Sequence, residues 1–182
     1  MFGKKPAPPP PQKPDVTPAR PMGWAVQVLT VDYLISGYLQ PVDMPLVGSL
    51  NVPTQPTLTL TQAQLRAITE QSASETLPEI TIPKSAIVAL MPRDEASARS
   101  AAAQMPPGSQ RAVIYAGPYL IRASFRLAGD MPMRILFGAS AGAMLAVSEG
   151  AISCLKPGST FPEQAAPVII LNKSAVQAYH PA

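Results

Sequence analysis

The feature that most constrains this chain is that it resembles itself. Residues 26–46, VQVLTVDYLISGYLQPVDMPL, lie against 112–133, AVIYAGPYLIRASFRLAGDMPM. Tyr33-Leu34-Ile35 falls on Tyr119-Leu120-Ile121 and Asp43-Met44-Pro45 on Asp130-Met131-Pro132, at a shift of 86 and then 87 residues. LTLTQAQL at 58–65 pairs with LAVSEGAI at 145–152, and ITIPKSAIVALMP at 80–92 with IILNKSAVQAYHP at 169–181. Four blocks in one order are the signature of a tandem duplication of a unit of roughly 70 residues.

Each copy has the pattern of β-structure. Tyr119, Ile121, Ala123, Phe125 and Leu127 alternate with Leu120, Arg122, Ser124 and Arg126, giving one apolar and one largely polar face. Tyr33, Ile35, Gly37 and Leu39 occupy the equivalent face in the first copy. Gly117-Pro118 marks a tight turn, with Val31-Asp32 at the corresponding place. A unit of this size buries little surface alone, so the copies are expected to pack together about a pseudo-twofold axis.

The expected fold is mainly β: two similar small β-barrel or curled-sheet lobes in tandem, over 23–92 and 111–182. The linker 93–110 reads as a short helix, opening on acidic residues after Pro92 and closed by Pro106-Pro107-Gly108. Ahead of the first lobe, residues 1–22 form a Pro-rich tail expected to be disordered and extended, with eight prolines in its first 21 positions. It serves as a tether or as a docking peptide for a proline-recognising partner.

Charge weighs against one class of function. The net charge of +3 belongs to the tail, where Lys4, Lys5, Lys13 and Arg20 face Asp15 alone; the body carries ten basic and ten acidic residues. A neutral body disfavours nucleic acid as a partner. The tail places prolines where a signal peptide needs its apolar run, and the longest apolar stretch, Ile135–Val147, is too short to span a bilayer. A cytoplasmic protein without a membrane span is expected.

The repeated unit resembles an uncharacterised bacterial family of small β-domains. Its order is a strand, a turn, Y-x-I-x-G, an L-N loop, L-T-[DN]-A-x-V and a final strand. Tyr33-Leu34-Ile35-Ser36-Gly37, Leu50-Asn51 and Leu60-Thr61-Gln62-Ala63-Gln64-Leu65 follow it. The second copy departs from it, with Ala123 for the glycine and no Leu-Asn pair in the corresponding loop. The resemblance implies a small barrel comparable to Sm-like folds, an analogy of shape that carries no function.

One motif points elsewhere. Gly138-Ala139-Ser140-Ala141-Gly142 spells G-x-S-x-G, the nucleophile elbow of serine hydrolases. A hydrolase built on it would use Ser140, His180 as base and Glu149 as the orienting carboxylate. Ser140-Ala141-Gly142-Ala143 also resembles patatin-like lipases, which require an Asp after the serine; none follows Asp130 here. At the repeat shift the motif falls on Asn51-Val52-Pro53-Thr54-Gln55, a polar loop.

One histidine and one cysteine, Cys154, leave no metal-ligand set, and no phosphate-binding glycine motif is present, so neither metal nor cofactor is expected. Cys154 is expected as a small buried hydrophobe. Lys84 and Lys173 recur in Lys-Ser-Ala and are expected as strand-edge lysines or as contacts to phosphate or a partner.

The function expected from these features is a non-enzymatic structural or interaction subunit that assembles with itself or with partner proteins. Its contact residues would be Met44, Pro45 and Leu46 with their equivalents Met131, Pro132 and Met133, besides the two lysines. The alternatives are the serine hydrolase and an Sm-like nucleic-acid binder in which Tyr119 and Phe125 stack beside Arg122, Arg126 and Arg134.

Overall fold

In the computed structural model, residues 23–70, 74–103, 105–106, 108–127, 132–139 and 142–182 are described. The tail over 1–22, Met131 and Ser140 lie outside them.

The chain is mainly β. Its strands are β1 (Trp24–Leu29), β2 (Tyr33–Leu39), β3 (Thr57–Ala67), β4 (Ser74–Pro83), β5 (Ala89–Pro92), β6 (Gln110–Ala116), β7 (Tyr119–Phe125), β8 (Met144–Cys154), β9 (Gln164–Asn172) and β10 (Val176–Pro181). Three helices interrupt them: α1 (Leu46–Leu50), α2 (Glu95–Ala102) and α3 (Met133–Ala139). Lys84–Ala86 and Lys173–Ala175 form single 3-10 turns.

All ten strands join one antiparallel sheet in the order β10-β6-β7-β8-β9-β5-β1-β2-β3-β4. The sheet is open, with β10 and β4 as its edges. Read from β5 to β4, and again from β10 to β9, the order is the same with every number raised by five.

Register follows the same rule. Val26 faces Gly37 and Pro92, while Ala112 faces Ala123 and Pro181. Thr57 pairs with Pro83, and Met144 with Asn172. Both middle ladders slip at one bulge, between Ser36 and Tyr38 and between Arg122 and Ser124. Among the described residues, the two non-glycine residues with positive φ, Gln62 at 48° and Glu149 at 51°, sit in those bulges on the facing strands. Such backbone is uncommon outside glycine and here marks one device used twice.

The alternation read along β7 is present, with Tyr119, Ile121, Ala123 and Phe125 buried and Arg122 exposed. Gly117, at φ 54°, takes the first central position of the β6–β7 turn, as a tight two-residue hairpin requires. The linker contains α2, whose N-cap Asp94 accepts a hydrogen bond from the Ser97 backbone N–H at 2.7 Å. The other Asp94 oxygen accepts from the Ala25 N–H at 2.6 Å, tying the helix start to β1.

Buried side chains form two clusters. One gathers Ile114, Tyr119, Ile121, Phe125, Val147 and Ile152 with Leu29, Ala89 and Met91. The other gathers Val26, Val28, Leu58, Leu60 and Leu90 with Val168 and Ile170. The strands in the middle of the sheet feed both. On β9, Ile169 and Leu171 face the first cluster, Val168 and Ile170 the second. Such strands read as unbroken apolar runs, as Val168-Ile169-Ile170-Leu171 does.

Two helices were not expected. Both α1 and α3 follow a proline, Pro45 or Pro132, and each opens on a buried residue, Leu46 or Met133. This corrects the expected contact surface: Leu46 is fully buried and Met133 nearly so, because they anchor short helices against the sheet. Met44 and Pro132 are exposed, and Pro45 is half-buried.

Candidate assembly surface

Where β5 meets β9, two halves of the sheet are joined by a short ladder, Ala89 opposite Leu171 and Leu90 opposite Ile170. Two paired positions are a small contact, and side chains reinforce it. Asn172 is 2% exposed. Its amide donates to the Ile87 carbonyl at 2.8 Å and the Lys84 carbonyl at 3.3 Å. Its Oδ1 accepts from the Ser174 N–H at 3.1 Å and the Ser174 hydroxyl at 2.7 Å. Its own N–H reaches the Val88 carbonyl at 3.0 Å, continuing the ladder by one bond.

A second asparagine works beside it. The Asn51 amide brackets the backbone of Met144, Nδ2 donating to its carbonyl at 2.9 Å and Oδ1 accepting from its N–H at 2.8 Å. This accounts for the last glycine of G-x-S-x-G. A Cβ on Gly142 would stand 2.5–2.8 Å from the Asn51 side chain, and its φ of 87° also favours glycine. Gly138 and Ala139 close α3 and Met144 opens β8, so a helix stands before the motif's last glycine and a strand after it. A nucleophile elbow runs the other way, from strand into helix.

The remaining residues of the hydrolase reading are not brought together. His180 lies on edge strand β10, exposed, its Nδ1 2.7 Å from the Pro181 carbonyl. Glu149 lies on β8 and accepts from the Ser124 hydroxyl at 3.3 Å. Three strand spacings separate β10 from β8, about 14 Å in all, far beyond a hydrogen bond.

The nucleic-acid surface is corrected. Tyr119 and Phe125 are fully buried. Tyr119 meets Phe161 edge-on, and Phe125 meets Phe137, so neither ring is free to stack on a base.

Lys84 and Lys173 start the two 3-10 turns and are not strand-edge residues, because the chain leaves the ladder at both places. The Lys84 ammonium donates to the Ser49 carbonyl at 3.3 Å and the Val52 carbonyl at 3.5 Å, around the end of α1. Burial lowers the pKa of both lysines. Cys154 is a free, half-buried thiol.

The Tyr119 hydroxyl, on β7, donates to the Thr30 carbonyl at the end of β1 at 2.7 Å, a further link between the halves of the sheet. Burial, then the nearby Cys154 and Asp32, push its pKa well above the ordinary tyrosine value. The folded state therefore holds the proton that the unfolded chain releases near pH 10. This contribution is complete below pH 10 and is lost as pH rises towards the folded pKa. Stability is expected to fall by about 1.4 kcal/mol per pH unit above 10 through this group. Urea titrations of the wild type and Tyr119→Phe between pH 8 and 11 check it. The variant should be about 1 kcal/mol weaker at pH 8 and show a shallower alkaline loss.

Among the described residues no helix is long and apolar enough to cross a membrane. No protein-family model, curated protein or solved structure matches the chain.

Proposed function

We propose that this chain is a non-enzymatic structural or interaction subunit, made of two tandem copies of one five-stranded unit, that assembles with itself or with partner proteins. The observation that carries this reading is the open sheet. Its edges, β4 and β10, leave backbone donors and acceptors without strand partners, a ready template for another chain. The repeated registers and bulges support the duplication. A body balanced in charge and 47% apolar over the whole chain suits a subunit that buries surface in an assembly. The Pro-rich segment ahead of β1 would tether the body or dock a proline-recognising partner.

Light scattering after size-exclusion chromatography, run on the full chain across a hundredfold range of concentration, tests the reading. A mass rising above 19.2 kDa in defined multiples is expected. A constant monomer mass, with no protein captured by immobilised full-length chain, would overturn it.

A further inference from the structure

The joint between β5 and β9 has an unused copy of itself on the outside of the molecule. Within the sheet, the fourth strand of one five-strand set, β9, pairs with the fifth strand of the other, β5. The two free edges are the fourth strand of the remaining set, β4, and the fifth, β10. We infer that β4 of one molecule pairs with β10 of a second copy, antiparallel, in the register of the internal joint. This rests on the assembly reading above and names its partner and geometry.

The repeat alignment fixes that register. Leu171 and Ile170 correspond to Ile82 and Thr81, while Ala89 and Leu90 correspond to Ala178 and Tyr179. The internal pairs Ala89–Leu171 and Leu90–Ile170 thus become Ala178–Ile82 and Tyr179–Thr81 between molecules.

Burial identifies what is missing at the edges. Leu77 and Ile80 on β4 are half-buried, and so are Val176 and Tyr179 on β10. Their counterparts at the internal joint are Ala166, Ile169, Ile87 and Leu90, which are 6%, 0%, 1% and 0% exposed. Four apolar positions whose counterparts are buried at the internal joint are left part-covered at the outer edges. A second copy supplies that strand.

The external joint is the weaker of the two. Where Asn172 carries the N–H and amide that reinforce β9, β4 has Pro83, which has no N–H to give. Where Asn51 brackets Met144, the corresponding residue in α3 is Gly138. Association should therefore be reversible and concentration-dependent, in contrast to the fixed internal joint. Because it joins unlike edges, it builds head to tail, into a ring if the rotation closes and a filament otherwise.

Oxidative cross-linking tests the register in a Cys154→Ala background. Thr81→Cys mixed with Tyr179→Cys should give a disulfide-linked dimer, as should Ile80→Cys with His180→Cys one position along. A pair displaced by four residues, Thr76→Cys with His180→Cys, should give at least tenfold less. Circular dichroism on each variant confirms folding. Pro83→Asn, which restores the residue used at the internal joint, should lower the concentration at half-association about fivefold. A constant monomer in light scattering overturns this inference, and the assembly reading falls with it only when immobilised full-length chain also captures no protein. An oligomer that forms without these cross-links and ignores Pro83→Asn overturns the edge pairing alone.

Discussion

Asn172→Leu is expected to destabilise the protein by about 3–4 kcal/mol, among the largest effects of any single polar substitution here. Leucine keeps the branched heavy-atom skeleton of asparagine while its methyl groups add volume, so overpacking adds to a loss that is chiefly one of hydrogen bonding. The carbonyls of Ile87 and Lys84 lose their amide donor, and the Ser174 N–H and hydroxyl lose their acceptor. Each buried polar group left without a partner costs about 1–3 kcal/mol. For a chain of this size a melting temperature lower by about 8–15 °C follows, measured by calorimetry at pH 7. Asn172→Asp sharpens the test. It keeps an acceptor for Ser174 but sets a carboxylate against two carbonyls, so it should be at least as damaging at pH 7. It should recover in part below pH 4, where the acid can donate a hydrogen bond. Pro83→Ala, at the equivalent exposed place on β4, should stay within about 0.5 kcal/mol of the wild type. A small effect of Asn172→Leu would mean that the β5–β9 ladder holds the halves together without its side chains.

How far the sequence discloses this fold depends on the scale of the signal. Alternation in β7 is a local pattern, and Tyr119, Ile121 and Phe125 are buried as it predicts. The α2 start is equally local, set by Asp94 and Ser97 three residues apart. By contrast α1 has five residues, shorter than two helical turns, so no 3.6-residue period could declare it. Met44-Pro45-Leu46 therefore read as a contact surface when Leu46 is a buried anchor. The bulges were hidden for a different reason. Gln62 and Glu149 are polar residues within strands, and nothing in their chemistry announces a positive φ.

The candidate surface was less legible still, because it is made by long-range pairing. Asn51 reaches Met144 across 93 residues, and Asn172 reaches Ile87 across 85. Neither asparagine stood out, since the repeat directs attention to what the copies share. Their importance lies where the copies differ, at Asn51 against Gly138 and Asn172 against Pro83. In the duplication proposed above, identity between the copies marks the common fold, and difference marks which strand ends are joined within the molecule. The G-x-S-x-G string carries a structural requirement of its own, since Gly142 is needed for its close approach to Asn51.

One such difference yields a sharp test of packing at the bulges. Gly37 on β2 faces the bulge of β3 at Ala63; in the other half the glycine and alanine are exchanged, with Ala123 on β7 and Gly150 on β8. A Cβ on Gly37 would come 3.0 Å from the Thr61 carbonyl oxygen, 3.1 Å from the Leu60 Cβ and 3.4 Å from the Ala63 Cα. Gly37→Ala alone should therefore cost about 2 kcal/mol, through backbone that must shift in a packed sheet. Ala63→Gly alone should cost about 1 kcal/mol, for a lost methyl contact and a looser unfolded chain. Together they reproduce the Ala123–Gly150 arrangement that the second half already holds. The pair should be no worse than Gly37→Ala alone, a favourable coupling of at least about 1 kcal/mol in a urea double-mutant cycle. Simple additivity would show that Leu60 and Thr61, rather than Ala63, limit the space. The bulge would then be rigid, and the glycine would be required by the backbone of β3 whatever side chain stands opposite.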